Sequence, residues 1–341
     1  MVLDVDVQDV VQRAYTGDLP HWSEVEALVT AAHRRCTPET GGVVADYIPV
    51  LAAADPEWFA VSVAEVNGTV HTAGDVDVEF SIQSISKAFV YALVCQHYGH
   101  EVVAERIGVN NTGLPFNSVI AIELNNGHPM NPMVNAGAIA TTALIPGRSP
   151  GEQWDAIVAG LSEFAGRPLQ LDETVYQSES QTNQRNRAIA QLLGSYGRIE
   201  SDPLDALDVY TRQCALRVTA TDLAVMGATL ADGGVNPITG RQVVSAGVCR
   251  DALAILAANG AYERSGEWLF EIGLPGKSGV AGGLVTIAPG KVGIGCFSPR
   301  LDDAGNSVRG QRATAYLSRV LGLNIFASHA HTLAANRKDI L

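Results

Sequence analysis

Ser84 and Lys87 lie three residues apart in the run Phe80-Ser81-Ile82-Gln83-Ser84-Ile85-Ser86-Lys87-Ala88-Phe89, and no charge occurs among Val90, Tyr91, Ala92, Leu93, Val94 and Cys95 that follow. Read as the opening of a buried helix, this spacing puts hydroxyl and amine on one face, the relation of a nucleophile to its base. An unpaired ammonium in such apolar surroundings is costly, so Lys87 is expected to be paired or neutral. Ser-x-x-Lys by itself usually means a surface lysine one turn from a serine. Composition argues for more here. The chain has 23 Lys plus Arg, of which only Lys87, Lys277, Lys291 and Lys338 are lysines. A sequence that otherwise uses arginine keeps, in this apolar setting, the basic side chain that can give up a proton.

Other polar residues have both a plain and a chemical meaning. Glu179 and Asn186 fall seven apart in a helix expected over 178 to 194 and so share a face, with Thr182, Asn183 and Arg187 nearby. A solvated face is the usual meaning of such polarity, but Ala188, Ile189, Ala190, Leu192 and Leu193 show that the helix is packed. In a pocket, the carboxylate would suit an ammonium group and the amide a carboxylate. Asn135, among small apolar residues, could equally satisfy nearby backbone. Tyr210 and Tyr262 could simply pack with their hydroxyls reaching partners. Tyr47, in the glycine-led segment Gly41 to Pro49, reads as packing or as a lid.

Two look-alike motifs fail on context. Gly147-Arg148-Ser149-Pro150-Gly151 has the spacing of a nucleophile elbow, but Pro150 and Glu152 make Ser149 a helix N-cap, and no strand precedes it. Gly276-Lys277-Ser278 has the tail of a phosphate loop, yet Glu271 occupies the position of its first glycine.

The elements that must position these groups follow from periodicity. Helical spacing marks 5 to 16 and 22 to 35, and strand alternation marks Phe59 to Ala64, with Asn67-Gly68 turning the chain toward Val70. Near the other end, Gly283 to Ala288 and Lys291 to Phe297 read as strands around Pro289-Gly290, with a helix from about Gln311 to Leu321. Between the strand regions, helices are expected at about 131 to 145, 150 to 164, 178 to 194, 204 to 214 and 220 to 232. This is the order of a two-part α/β protein whose sheet is assembled from both ends of the chain.

Composition excludes several classes. With 341 residues, 47% hydrophobic and 17% charged, the chain suits a compact fold of about two parts. A net charge of −13 disfavours nucleic acid and anionic lipid as partners, leaving small polar molecules. The acidic amino terminus suggests no secretory signal, and no run is long enough to span a membrane. Cys36, Cys95, Cys214, Cys249 and Cys296 are scattered and odd in number, as expected of reduced thiols in a cytoplasmic protein. The eight histidines lack close ligand spacing, so neither a metal nor a cofactor is expected, and His329 and His331 read as solvated.

Lys277-Ser278-Gly279 resembles the Lys-Thr-Gly element that accompanies Ser-x-x-Lys in penicillin-recognising enzymes. Together with Phe80 to Lys87, Met130 to Ile139, Asn183 to Asn186, Tyr210 to Cys214 and Leu274 to Gly283, it makes the chain resemble the bacterial and mitochondrial glutaminases that use a serine nucleophile. The similarity runs from about Tyr47 to Phe297. It implies an α/β (α+β) fold like the serine β-lactamases: an antiparallel sheet flanked by helices plus an inserted helical region. Residues 1–100 with 235–341 would form the sheet part and 101–234 the helical part, with the site between them. The implied reaction is hydrolysis of L-glutamine to L-glutamate and ammonia. Ser84 would be the nucleophile, Lys87 its base, Tyr262 and Tyr210 proton-passing hydroxyls, and the N–H groups of Ser84 and Val280 the oxyanion hole. Asn135, Glu179 and Asn186 would clamp the α-carboxylate and α-ammonium, Gln83 and Tyr47 would border the pocket, and the protein would form a homo-oligomer, dimer or tetramer. The alternatives are another serine acyl hydrolase of this fold, such as a β-lactamase or esterase, and a non-catalytic amino-acid sensor. The chain has no Ser-Asp-Asn element, Ser201-Asp202-Pro203 being the nearest string, which counts against β-lactam hydrolysis.

Overall fold

The computed structural model describes residues 9–13 and 19–328. Among these residues eight strands, β1 (Ala60–Glu65), β2 (Val70–Gly74), β3 (Phe80–Ser81), β4 (Gln170–Leu171), β5 (Leu216–Val218), β6 (Gly276–Ser278), β7 (Gly283–Ala288) and β8 (Val292–Phe297), form two sheets. The larger is antiparallel in the order β2-β1-β8-β7-β6, so its first two strands and its last three come from opposite ends of the chain. β1 pairs with β8 over its whole length, from Ala60 opposite Phe297 to Glu65 opposite Val292. The smaller sheet, β3-β5-β4, ties the approach to Ser84 to the helical region.

Thirteen helices complete this order among the described residues. They are α1 (Trp22–Cys36), α2 (Ser86–Tyr98), α3 (His100–Ile107), α4 (Ile120–Leu124), α5 (Asn135–Ala143), α6 (Pro150–Ala165), α7 (Glu173–Thr182), α8 (Gln184–Ser195), α9 (Pro203–Cys214), α10 (Ala220–Ala231), α11 (Ala246–Asn259), α12 (Ser265–Glu271) and α13 (Val308–Val320). None is long and apolar enough to cross a membrane. α1 and α13 cover one face of the large sheet, where Val25, Val29, Ala313 and Leu317 share a core with Val61, Val63 and Ile294. α10 covers the other, its N-terminus fixed by a capping box between Thr219 and Asp222. Its approach to β8 requires glycine at two positions. A Cβ on Gly293 would run into the carbonyl of Ala224, and one on Gly295 into that of Ala220.

Several expectations change. The run from Phe80 is not helical at its start: it is β3, then a single 3-10 turn over Gln83–Ile85, then α2. The expected helix over 178 to 194 is two helices, broken at Asn183. Asn183 is buried, bonding Thr211 Oγ1 through Nδ2 at 3.4 Å and accepting from Arg187 Nε at 3.0 Å, so its side chain serves the break. Most of 5 to 16, with His329 and His331, lies outside the described residues, and 9–13 carry no helix. Ser149 caps α6 and accepts from the N–H of Glu152 at 3.2 Å, as the local signals predict.

Candidate active site

The turn that carries Ser84 is built from below. Phe80 stacks on Phe297 of β8 with ring centres 4.1 Å apart, anchoring β3 to the large sheet. Gln83 then adopts a left-handed backbone (φ 50), a strained conformation for a residue other than glycine. A polar chain holds it there: Ser86 Oγ donates to the Gln83 carbonyl at 2.8 Å and accepts from Gln213 Nε2 at 3.2 Å, while Gln213 Oε1 accepts from Thr142 at 3.0 Å. The side chain of Gln83 donates to Ser81 Oγ at 3.1 Å and Glu179 Oε2 at 3.4 Å.

Lys87 is buried, at 1% exposure. Its ammonium donates to the Met133 carbonyl at 3.1 Å and to Asn135 Oδ1 at 2.7 Å. Asn135 Nδ2 donates in turn to Asn186 Oδ1 at 2.8 Å. Three predicted site residues therefore form one chain. The hydrogen bonds of the Lys87 amine go to Met133 and Asn135, where the spacing predicts one to Ser84. Ser84 belongs to the 3-10 turn and Lys87 to the first turn of the α-helix that follows, where the Met133 carbonyl and the Asn135 amide oxygen take the amine's hydrogen bonds.

Burial sets the charges. It lowers the Lys87 amine to about 8, offset in part by Cys214 and Glu179, and raises the Glu179 carboxyl to about 7 despite Gln83 and Lys87. It also pushes the Tyr262 hydroxyl to about 12 and that of Tyr210 well above its usual value. Both tyrosines are therefore neutral at neutral pH. Tyr262, like Gln83, is left-handed (φ 57).

A cavity of about 300 Å³ collects Tyr47, Gln83, Ser84, Asn135, Glu179, Asn186, Tyr210 and Val280 in its wall. Glu179 comes from α7 and Asn186 from α8, so the break at Asn183 sets their spacing. Val280 follows β6, and Tyr47 stands 56% exposed at the rim. Tyr262 is outside this lining, its hydroxyl donating to the Ser278 carbonyl at 3.5 Å. Phe116, Asn117 and Arg185 also line the cavity, and the sequence reading missed them. Arg185 donates to the Asn117 carbonyl at 3.2 Å, and the Phe116 ring lies 4.7 Å from that of Tyr262. Arg185 sat inside a quoted motif, but nothing in the loop before α4 marked Phe116 or Asn117.

An antiparallel sheet drawn from both chain ends, with a serine and a buried lysine at its junction with a helical layer, defines the class: this is a protein of the serine β-lactamase-like fold. The chain belongs to the glutaminase family, whose pattern matches residues 42–326. It is 52% identical to Glutaminase 2 of Yersinia pestis, over 97% of this chain and 98% of that one. It is 49% identical to the Glutaminase of Mycobacterium ulcerans (strain Agy99), over 89% and 95%. Among solved structures, the probable glutaminase ybaS superposes with a TM-score of 0.89 at 45% identity, covering 91% of this chain and all of that one. Mglu in its glutamate form gives 0.85 at 39% identity, over 92% and 72%.

Proposed function

We propose that this chain hydrolyses L-glutamine to L-glutamate and ammonia through an acyl-enzyme on Ser84. Neutral Lys87 accepts the proton of the Ser84 hydroxyl as Oγ attacks the side-chain carboxamide carbon. The resulting oxyanion is held by the N–H groups of Ser84 and Val280. Collapse breaks the C–N bond, and ammonia leaves with a proton delivered from Lys87 through Tyr262 or Tyr210. Water then attacks the ester, gives a proton back to the site and frees glutamate. Glu179 receives the substrate ammonium, Asn135 and Asn186 orient its carboxylate, and Gln83 and Tyr47 border it. The observation that carries this reading is that one cavity holds Ser84 and, facing it, a buried carboxylate, with a buried amine beneath.

The same proposal places the cavity between a sheet part, 1–100 with 235–341, and a helical part, 101–234, from which α10 reaches back onto the sheet. It also places the protein in the cytoplasm, in keeping with five buried cysteines that form no disulfide. A homo-oligomer, dimer or tetramer, fits the exposed Ile120 and Leu124 of α4, and sedimentation measures it. Ammonia release from glutamine by the purified protein, set against Ser84→Ala, tests the reaction. Release by the wild type alone is expected; equal release by both overturns the reading.

A further inference from the structure

Three fully buried polar side chains behind the Ser84 turn have no part in the steps above: Ser86 at the start of α2, Thr142 of α5 and Gln213 of α9. Their bonds run in one direction. Thr142 Oγ1 donates to Gln213 Oε1, Gln213 Nε2 to Ser86 Oγ, and Ser86 Oγ to the Gln83 carbonyl at 2.8 Å. An amide nitrogen only donates, so Gln213 leaves the Ser86 hydroxyl its single proton for that carbonyl. The Cys214 thiol, 4.0 Å from the same hydroxyl, is a weak competitor. The backbone N–H of Ser86 also bonds the Gln83 carbonyl, so one residue supplies two donors to it.

That carbonyl belongs to the peptide whose other end is the Ser84 N–H. The peptide is trans, so its carbonyl and N–H point in opposite directions, and fixing one aims the other. Just before it the chain is pinned by backbone, the Ile82 N–H donating to the Leu216 carbonyl at 2.8 Å, whereas Gln83 itself carries the left-handed φ of 50. A strained residue of this kind keeps its conformation only where its surroundings over-determine it. We infer that Ser86 and Gln213 are positioning residues: by holding the Gln83 carbonyl from behind, they aim the Ser84 N–H at the point where negative charge develops on the substrate oxygen. The inference rests on the reading above, in which Ser84 is the nucleophile and its N–H part of the oxyanion hole.

Ser86→Ala deletes one donor to the carbonyl, and Gln213→Leu keeps the side-chain bulk while removing the group that directs the Ser86 proton. Each should lower kcat for glutamine about 10- to 100-fold and change KM less than about twofold, because the oxyanion forms only after binding. Ser86→Ala combined with Gln213→Leu should be no slower than Ser86→Ala alone to within about threefold, since both act through one hydroxyl. The readout specific to aim is the γ-thioamide of L-glutamine, whose sulfur accepts hydrogen bonds weakly and gains little from the hole. Ammonia release from the two substrates gives a ratio of kcat/KM, oxygen over sulfur, that should fall at least about fivefold in either variant. A side chain that merely supports the fold would slow both substrates alike. Unchanged kcat, a raised KM at constant kcat, multiplied losses in the double variant, or an unchanged oxygen-to-sulfur ratio overturns the proposal. Should circular dichroism show Ser86→Ala unfolded, Gln213→Leu carries the same expectations. Should the wild type leave the thioamide intact, a boronic acid in place of the glutamine carboxamide, which forms a tetrahedral adduct on Ser84, replaces it. Its Ki should then rise about tenfold or more while that of glutamate changes less than about twofold, and an unchanged Ki refutes the positioning role. Failure of the glutaminase reading would appear separately, as equal ammonia release by wild type and Ser84→Ala.

Discussion

Burial pulls Glu179 and Lys87 toward neutrality from opposite directions, and the two shifts have separate consequences for activity and stability. Catalysis as proposed needs Glu179 ionised and Lys87 neutral, so kcat/KM should climb between pH 6 and 9 with inflections near 7 and 8. A flat profile over that range would contradict these assignments. For stability, the native state holds the Glu179 proton up to about 7 and the unfolded chain only up to about 4.5, so stability falls as pH rises through that window. Glu179→Gln removes this loss. It should raise stability at pH 8 by up to about 3 kcal/mol, read from urea unfolding, while lowering kcat/KM by about a hundredfold or more. For Lys87 the native state holds fewer protons than the unfolded chain between about 8 and 10.5, so its contribution makes stability rise with pH there. Much of this site was legible from residue types, because a rare lysine in an apolar run and a carboxylate on a packed helix are both anomalies. Phe116 and Asn117 were not, because their loop is placed by tertiary bonds, from Asn111 to the Ala258 carbonyl and from the Asn135 N–H to the Phe116 carbonyl.

At the scale of elements, periodicity located what it could measure. The strands at Ala60–Glu65 and Gly283–Ala288 and the helices from Pro150 and Ala220 lie where alternation and helical spacing put them. The helix break at Asn183 and the strand-to-turn switch at Gln83 escaped, since both depend on buried side-chain bonds that leave no period. Packing of α10 on β8 gives a sharper test. Gly295→Ala, which drives a methyl into the Ala220 backbone, should cost about 3 kcal/mol in urea unfolding. Gly266→Ala on α12, where nothing lies within 4 Å, should instead leave stability unchanged or gain up to ~1 kcal/mol. Equal effects of the two would mean that α10 does not press on β8 this closely.

For the whole molecule, the large sheet is one cooperative object despite its divided origin. Amides of 60–65 and 292–297 should exchange with deuterium only through global unfolding and at matching free energies, because each strand completes the other's ladder. Measurably earlier exchange of either segment in mass spectrometry would show that the two ends open independently. The order of strands and helices conveyed this architecture, while contacts between distant segments did not follow from it: pairing partners more than two hundred residues apart are chosen by the fold as a whole. The same divided sheet bears on biosynthesis. Ser84 and Lys87 leave the ribosome more than two hundred residues before β8, the strand that braces Phe80 through Phe297, so the nascent polypeptide carries the proposed nucleophile without the wall that aligns it until that strand has been made.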